Sequence, residues 1–319
     1  MDSRKALDGR AIGFMLALCA VWGFQQVALK AMAADIAPIF QIALRSGVAV
    51  VLVGIVMLVR RERPTVASGN WRPGLLVALL FGLEFWLVGE GLRYTSAAHM
   101  VVFLYTAPIF AALGLHWRLP SERLSPLQWL GIGLAFVGLG FAFFGRGSGS
   151  SSAANPALSA MLWGDFLSLM GGLAWGATTV VVRNSRLARA PATETLLYQL
   201  VGAFVLLMAV AWSTGQTQVN FTPQVWISLV FQSVVVSFAS FLLWFWLLRQ
   251  YLAAQLGVFS FLTPMFGIVF GALWLGERIE TSFLIGAVPL MGGIVLVSGH
   301  AWLTQKWRLL VRSKVIKTL

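Results

Sequence analysis

Charge is what this sequence has least of. Asp, Glu, Lys and Arg make up 11% of its 319 residues, where a soluble domain carries roughly a quarter. Acids are the scarcer sign, 11 against 23 bases. Apolar residues fill 59% of the chain and the mean hydropathy is +0.83. A soluble fold cannot hide that much apolar surface, so the bilayer is the solvent that fits it. Cysteine is nearly missing. Cys19 stands alone, which excludes an intrachain disulfide and a thiolate metal cluster. Histidine is almost as rare. His99, His116 and His300 fall near different ends of the apolar runs, and no His-Glu-x-x-His occurs. Neither a metal nor a cofactor is expected. Dyad repeats of about ten residues are absent too, and with them the signature of a β-barrel.

What the chain has instead is long apolar runs with short polar breaks. Ten spans are placed at about 11–32, 38–59, 73–93, 96–117, 125–144, 159–182, 192–213, 223–248, 253–275 and 281–302. Each is near 20 residues, enough to cross a core of ~30 Å at ~1.5 Å per residue. The first run lacks a clear cleavage site and reads as a span, not a signal peptide. Prolines 38, 64, 73, 120, 126, 191 and 223 punctuate the breaks. Gly145 to Pro156 reads as a flexible linker between halves. No Gly-Lys-Ser/Thr follows its glycines, so it is no phosphate loop.

The net charge of +12 would point a soluble protein toward nucleic acid. Here Lys and Arg lie between the spans, and no basic stripe alternates with stacking aromatics, so nucleic acid is not an expected partner. The bases set topology. Breaks on one side of the threading, with both termini, hold 18 of them, and the other side holds Arg93, Arg146 and Arg278. Lys30 and Arg45 lie within spans. That bias predicts an even span count with both termini in the cytoplasm, the last carried by a basic tail at 303–319.

The two halves resemble each other. Trp22-Gly23, Val27 and Lys30 match Trp175-Gly176, Val180 and Arg183. Ala98, Phe103, Pro108 and Phe110 match Ala254, Phe259, Pro264 and Phe266. Glu122-Arg123, Gly131 and Gly138 match Glu277-Arg278, Gly286 and Gly293. The units are 11–144 and 159–302, joined by 145–158. Five spans per unit is odd, so the second unit enters the membrane with opposite orientation. The fold class is therefore an all-α polytopic membrane protein of about ten helices, built as two inverted five-helix repeats around a central cavity. Alternating-access transporters use that architecture.

On these residues the chain resembles the drug/metabolite transporter superfamily, in its EamA-type ten-span branch. Trp22-Gly23, Trp175-Gly176, Pro108, Pro264, Glu122-Arg123 and Gly276-Glu277-Arg278 carry the likeness, over about residues 11–302. Within it the chain looks most like YddG-type exporters of aromatic amino acids. The resemblance implies a basket-like fold, a cavity lined mainly by spans 1, 3, 4, 6, 8 and 9, and export from the cytoplasm. It also implies a bacterial inner-membrane carrier that works as a monomer, with the lipid bilayer and a small-molecule substrate as its partners.

Charge in hydrocarbon persists when paired or useful. Glu84, near the middle of span 3, is read either as a contact for a substrate ammonium or coupling proton, or as a structural partner of a neighbouring helix. Glu90 is expected to pair with Arg45, and Asp165 to lie at the interface. His99 is a polar cavity or interface residue. Trp22, Trp163, Trp175 and Trp244 are candidate stacking rings, with Phe103, Tyr105 and Phe259 beside the paired prolines. Gln25, Thr178 and Gln232 add uncharged polarity. Thr106, before Pro108, either helps an exposed carbonyl bind an ammonium or merely satisfies the kink.

An apolar, aromatic-rich cavity with few fixed charges favours aromatic or hydrophobic amino acids. The alternative is a multidrug or organic-cation exporter coupled to protons through Glu84. A sugar-phosphate carrier wants Lys or Arg deep in spans 4, 6 and 9, and none is there. An intramembrane enzyme is the remote alternative, and its Ser–His or paired-Asp constellation is missing, so the chain is not expected to be one.

Overall fold

The computed structural model describes residues 8–62, 69–120, 123–144, 156–251, 256, 259–297 and 299. The linker at 145–155, the basic tail, Pro64, Glu122, Ala254 and His300 lie outside them. The chain forms an all-α polytopic membrane protein. Among the described residues seven helices are long and apolar enough to cross a bilayer, and three shorter apolar helices complete ten passes. The spans run Gly9–Ala31, Pro38–Val59, Trp71–Gly91, Ala97–Arg118, Pro126–Phe144, Pro156–Arg183, Ala192–Ser213, Pro223–Gln250, Leu262–Leu275 and Thr281–Val297. One isolated bridge, Ile36 to Val219, ties the loops after spans 1 and 7.

Local chemistry explains the ends. Pro38, Pro126, Pro156 and Pro223 each open a helix, where a missing N–H loses nothing and the fixed φ already suits the turn. Asp8 accepts from the Ala11 N–H at 2.8 Å, Ser96 from the His99 N–H at 3.1 Å, and Thr222 from the Val225 N–H at 3.3 Å. These are N-caps that satisfy orphan donors. Span 9 stops at Gly276, whose φ of 63° needs a residue without Cβ. Span 4 breaks at Tyr105-Thr106, two residues before Pro108. Thr106 Oγ1 donates to the Phe103 carbonyl at 2.6 Å, so this hydroxyl satisfies the kink.

Small residues decide which helices touch. A Cβ on Gly23 would meet Thr263, Phe266 and Gly267, and one on Gly176 would meet Ala107, Phe110 and Ala111. Each partner set is the sequence counterpart of the other, so span 1 seats on span 9 as span 6 seats on span 4. Spans 5 and 10 cross at glycines. Gly131 abuts the Gly293 carbonyl, and Gly138 abuts the Gly286 carbonyl at 2.5 Å from an added Cβ. The lower number meets the higher, so these two helices run antiparallel. Gly74, Gly82 and Gly202 let span 3 lie against span 7 in the same way, by close approach of small residues.

The core is divided among these seams. Phe103, Ile109, Phe261, Phe283 and Leu290 fill one cluster between spans 4, 5, 9 and 10. Ile39, Ile42, Phe81, Phe85, Met100 and Leu207 fill another between spans 2, 3, 4 and 7. The outer flanks leave Val51, Ile55, Leu75, Leu79, Val205, Ile227 and Val288 exposed. A water-soluble monomer rarely shows apolar surface on that scale, and lipid covers it here.

Candidate functional site

Span 2 carries Arg45 into the interior, where it is 2% exposed. Its Nη1 donates to Gln232 Oε1 at 2.6 Å and to Gln25 Oε1 at 3.2 Å. Gln232 Nε2 donates in turn to the Gln25 backbone carbonyl at 2.8 Å, which fixes the Gln232 amide. The guanidinium lies 4.7 Å from the centre of the Phe85 ring, a cation–π contact. Glu84, next to Phe85, is 4% exposed and is the charged group electrostatically coupled to Arg45. Arg45 Nε and Glu84 Oε2 are buried with no hydrogen-bond partner among the described residues. Each lies seven residues, about 10 Å at the helical rise, from the same end of the spans. The expected Glu90–Arg45 pair is not made. Glu90 sits six residues nearer the end of span 3 and takes Arg93 at 2.8 Å and Tyr94 at 3.3 Å.

Span 8 supplies Gln232 through an unusual backbone. Phe231–Ser240 is a ten-residue π-helical stretch between two α-helical ones. Such widened turns are rare and gather at functional sites. Here it sets Gln232 on Arg45 and Ser240 beside Trp22, whose Nε1 donates to Ser240 Oγ at 2.9 Å. Trp22 meets Trp244 edge-on, ring centres 5.5 Å apart. Phe259 packs against the same group and its carbonyl accepts from Cys19 Sγ at 3.2 Å. Across the interior, Tyr105 meets Trp175 edge-on at 5.2 Å.

The structure thus brings Gln25 and Gln232 together on Arg45, sets Trp22, Trp244 and Phe259 in one aromatic group, and pairs Tyr105 with Trp175, while Glu84 lies buried next to Phe85. It sends four other candidates elsewhere. Thr178 returns its hydroxyl to the Ala174 carbonyl of its own helix at 3.0 Å. Trp163 is 50% exposed and stacks on Phe166. With Trp86, Glu90 and Arg93 it lines a cavity of about 420 Å³ where spans 3 and 7 end and span 6 begins, not among the central rings. His99 and Phe103 belong to a buried group at the start of span 4. His99 Nδ1 lies 3.1 Å from Asp165, its Nε2 lies 3.3 Å from Glu280, and its ring stacks 3.8 Å from Phe283. Asp165 is 0% exposed and also accepts from the Thr95 hydroxyl in the turn between spans 3 and 4.

Around that group the two halves are stitched together. Glu277, in the turn before span 10, accepts from the Ala97 N–H at 2.7 Å and the Ala98 N–H at 3.1 Å. It fills the positive N-terminus of span 4. Lys30 Nζ donates to the Leu92 carbonyl at 2.9 Å and to that of Thr95. Sequence pairs Arg45 with Glu90, sets Asp165 at the interface and leaves Glu280 unplaced, because Gln232 lies 187 residues from Arg45 and His99 lies 66 from Asp165. A lone arginine in an apolar run was the available signal for the first.

A family model for EamA-like transporters matches residues 9–144 and again 162–299. The chain belongs to the EamA-like transporter family. This EamA-like chain is 24% identical over 288 residues to the uncharacterized transporter YoaV of Bacillus subtilis, covering 88% of this chain and 94% of that one. It is 23% identical over 297 residues to a probable amino-acid metabolite efflux pump of Salmonella typhimurium, covering 90% and 94%. A solved crystal structure matches with a TM-score of 0.61 at 18% identity, over 91% of this chain and 98% of that one, which is a likeness of fold. The chain is a membrane transporter by family.

Proposed function

We propose that this transporter exports small amphipathic metabolites, with aromatic and hydrophobic amino acids as its class, by alternating access of two inverted five-helix units. The observation that carries the reading is the central cluster. One buried base, Arg45, and one buried acid, Glu84, lie at one depth about Phe85, and the rings of Trp22 and Trp244 pack together on the same spans 1 and 8 that bring Gln25 and Gln232 to Arg45. An amino acid offers the complement: an anion, a cation and an apolar or aromatic body. The Salmonella relative is named for amino-acid metabolite efflux, which runs in the same direction. The matching seats of Gly23 and Gly176 support units related by a two-fold axis in the membrane plane. The site is read as YddG-like, in a monomer of a bacterial inner membrane with cytoplasmic termini.

Counterflow in liposomes loaded with a panel of amino acids and organic cations tests this. Trp and Phe are expected to exchange and to compete with related amino acids. Movement of methyl viologen with neither amino acid would replace the reading by a cation exporter coupled through Glu84.

A further inference from the structure

We infer that Arg45 anchors the carboxylate of the transported molecule, so that a free carboxylate is a requirement for transport. The inference rests on the central cluster being the transport site, as proposed above, and adds the chemical group that the site selects.

The argument starts from what surrounds Arg45. A guanidinium inside the membrane is retained when it is paired or useful. Arg45 makes no ion pair of 4 Å or less among the described residues. Its Nη1 rests on two neutral amide oxygens, at 2.6 and 3.2 Å, and one ring covers it. The Nε is buried and idle. Folded proteins leave few buried donors unmatched, and the idle Nε marks the side-on edge where a carboxylate binds arginine with two parallel hydrogen bonds.

The surroundings match the rest of an amino acid. Glu84 Oε2 is a second idle buried atom, an acceptor, on the helix that presents Phe85 to Arg45. Gln41, one helical turn before Arg45, has a further idle acceptor in its Oε1, while its Nε2 donates to Ser228 at 2.5 Å. An idle donor of positive charge and idle acceptors beside it are the complement of a carboxylate and an ammonium. Gln25 and Gln232 hold Nη1 through neutral groups, so a carboxylate on the Nε edge breaks no ion pair. Among the described residues Arg45 Nε, Glu84 Oε2 and Gln41 Oε1 are left unmatched within the fold.

Selectivity follows. Phe and Trp bind with the carboxylate on Arg45. Their methyl esters, and the decarboxylated amines phenethylamine and tryptamine, lose that contact and leave the guanidinium unmatched. The test is competition against labelled Phe counterflow by wild-type protein in liposomes, followed by Arg45→Gln and Arg45→Lys. Ester and amine are expected to compete at least about 30-fold more weakly than Phe. Arg45→Gln is expected to raise KM by a similar factor. Arg45→Lys keeps the charge but not the two-point edge, and is expected to fall between. The wild-type competition needs no variant, so it decides even where Arg45→Gln does not fold. If Phe exchanges and its ester competes equally well, the anchor is overturned and the amino-acid reading stands. If organic cations alone are moved, both are overturned.

Discussion

At the scale of single residues, the interior is held by a few long-range polar contacts. Trp22 joins span 1 to span 8 by one hydrogen bond and one edge-on ring. Trp22→Phe removes the bond and keeps an aromatic ring. A stability loss of about 1 kcal/mol is expected from the bond, read by thermal unfolding in detergent, with counterflow of Phe retained. Trp22→Ala is expected to abolish counterflow by removing the ring. Asp165 is fully buried on His99 and Thr95. Asp165→Ala leaves both without that partner and is expected to destabilise by about 1–3 kcal/mol. Glu84→Gln keeps size and removes charge. It is expected to weaken zwitterion transport and flatten its pH dependence, and transport unchanged at every pH would remove Glu84 from the mechanism.

At the scale of elements, glycine position decides tolerance. Gly138 and Gly140 lie two residues apart on span 5. A Cβ at Gly138 runs into the backbone of span 10 at 2.4 Å, while one at Gly140 meets nothing within 4 Å. Gly138→Ala is expected to cost about 1–3 kcal/mol by overpacking. Gly140→Ala is expected to be neutral or stabilising by up to about 1 kcal/mol through helix propensity. Melting temperatures of the two variants check the contrast. The N-cap of span 1 gives a pH signature. The Ala11 N–H holds the Asp8 carboxyl below its usual range. A depressed acid stabilises the fold above its unfolded pKa of about 3.9, and that stability is lost as pH falls through the lower folded value. Asp8→Ala is therefore expected to lower stability at pH 7 and to converge on wild type in acid. Asp8→Asn keeps an acceptor and is expected to flatten the dependence.

At the scale of the whole molecule, ten passes bring the two ends of the helical body to one face. Gln128 Nε2, at the start of span 5, donates to the Val297 carbonyl at the end of span 10 at 3.0 Å. Asp8, before span 1, accepts from Tyr251 after span 8 at 3.0 Å. From the 18-to-3 split of bases between alternate breaks of the sequence, single cysteines added at each terminus of a Cys19→Ser protein are expected to share one protected, cytoplasmic side. At the other face, Glu277 on the span 4 N-terminus and the His99 group bridge the halves. Those contacts must part if that face is to open, so Glu277→Ala is expected to raise labelling of a cysteine placed at Thr95.

Apolar runs, prolines and loop charge pointed to ten spans and to most of their limits within a few residues, though the helix described for span 9 begins at Leu262 and not near 253. These are local signals, because a helix in lipid satisfies its own backbone and shows its length and ends in the chain. Partnership between side chains was decided by the tertiary structure. Arg45 meets Gln232 across 187 residues, and Asp165 meets His99 across 66. Span 8 bends into a π-helical stretch that no run of its residues announces. Trp163 and Trp244 look alike in sequence, yet one faces outward and the other faces Trp22. Rotation of each helix about its axis is set by packing against neighbours. A hydropathy pattern that is apolar on every side does not encode it.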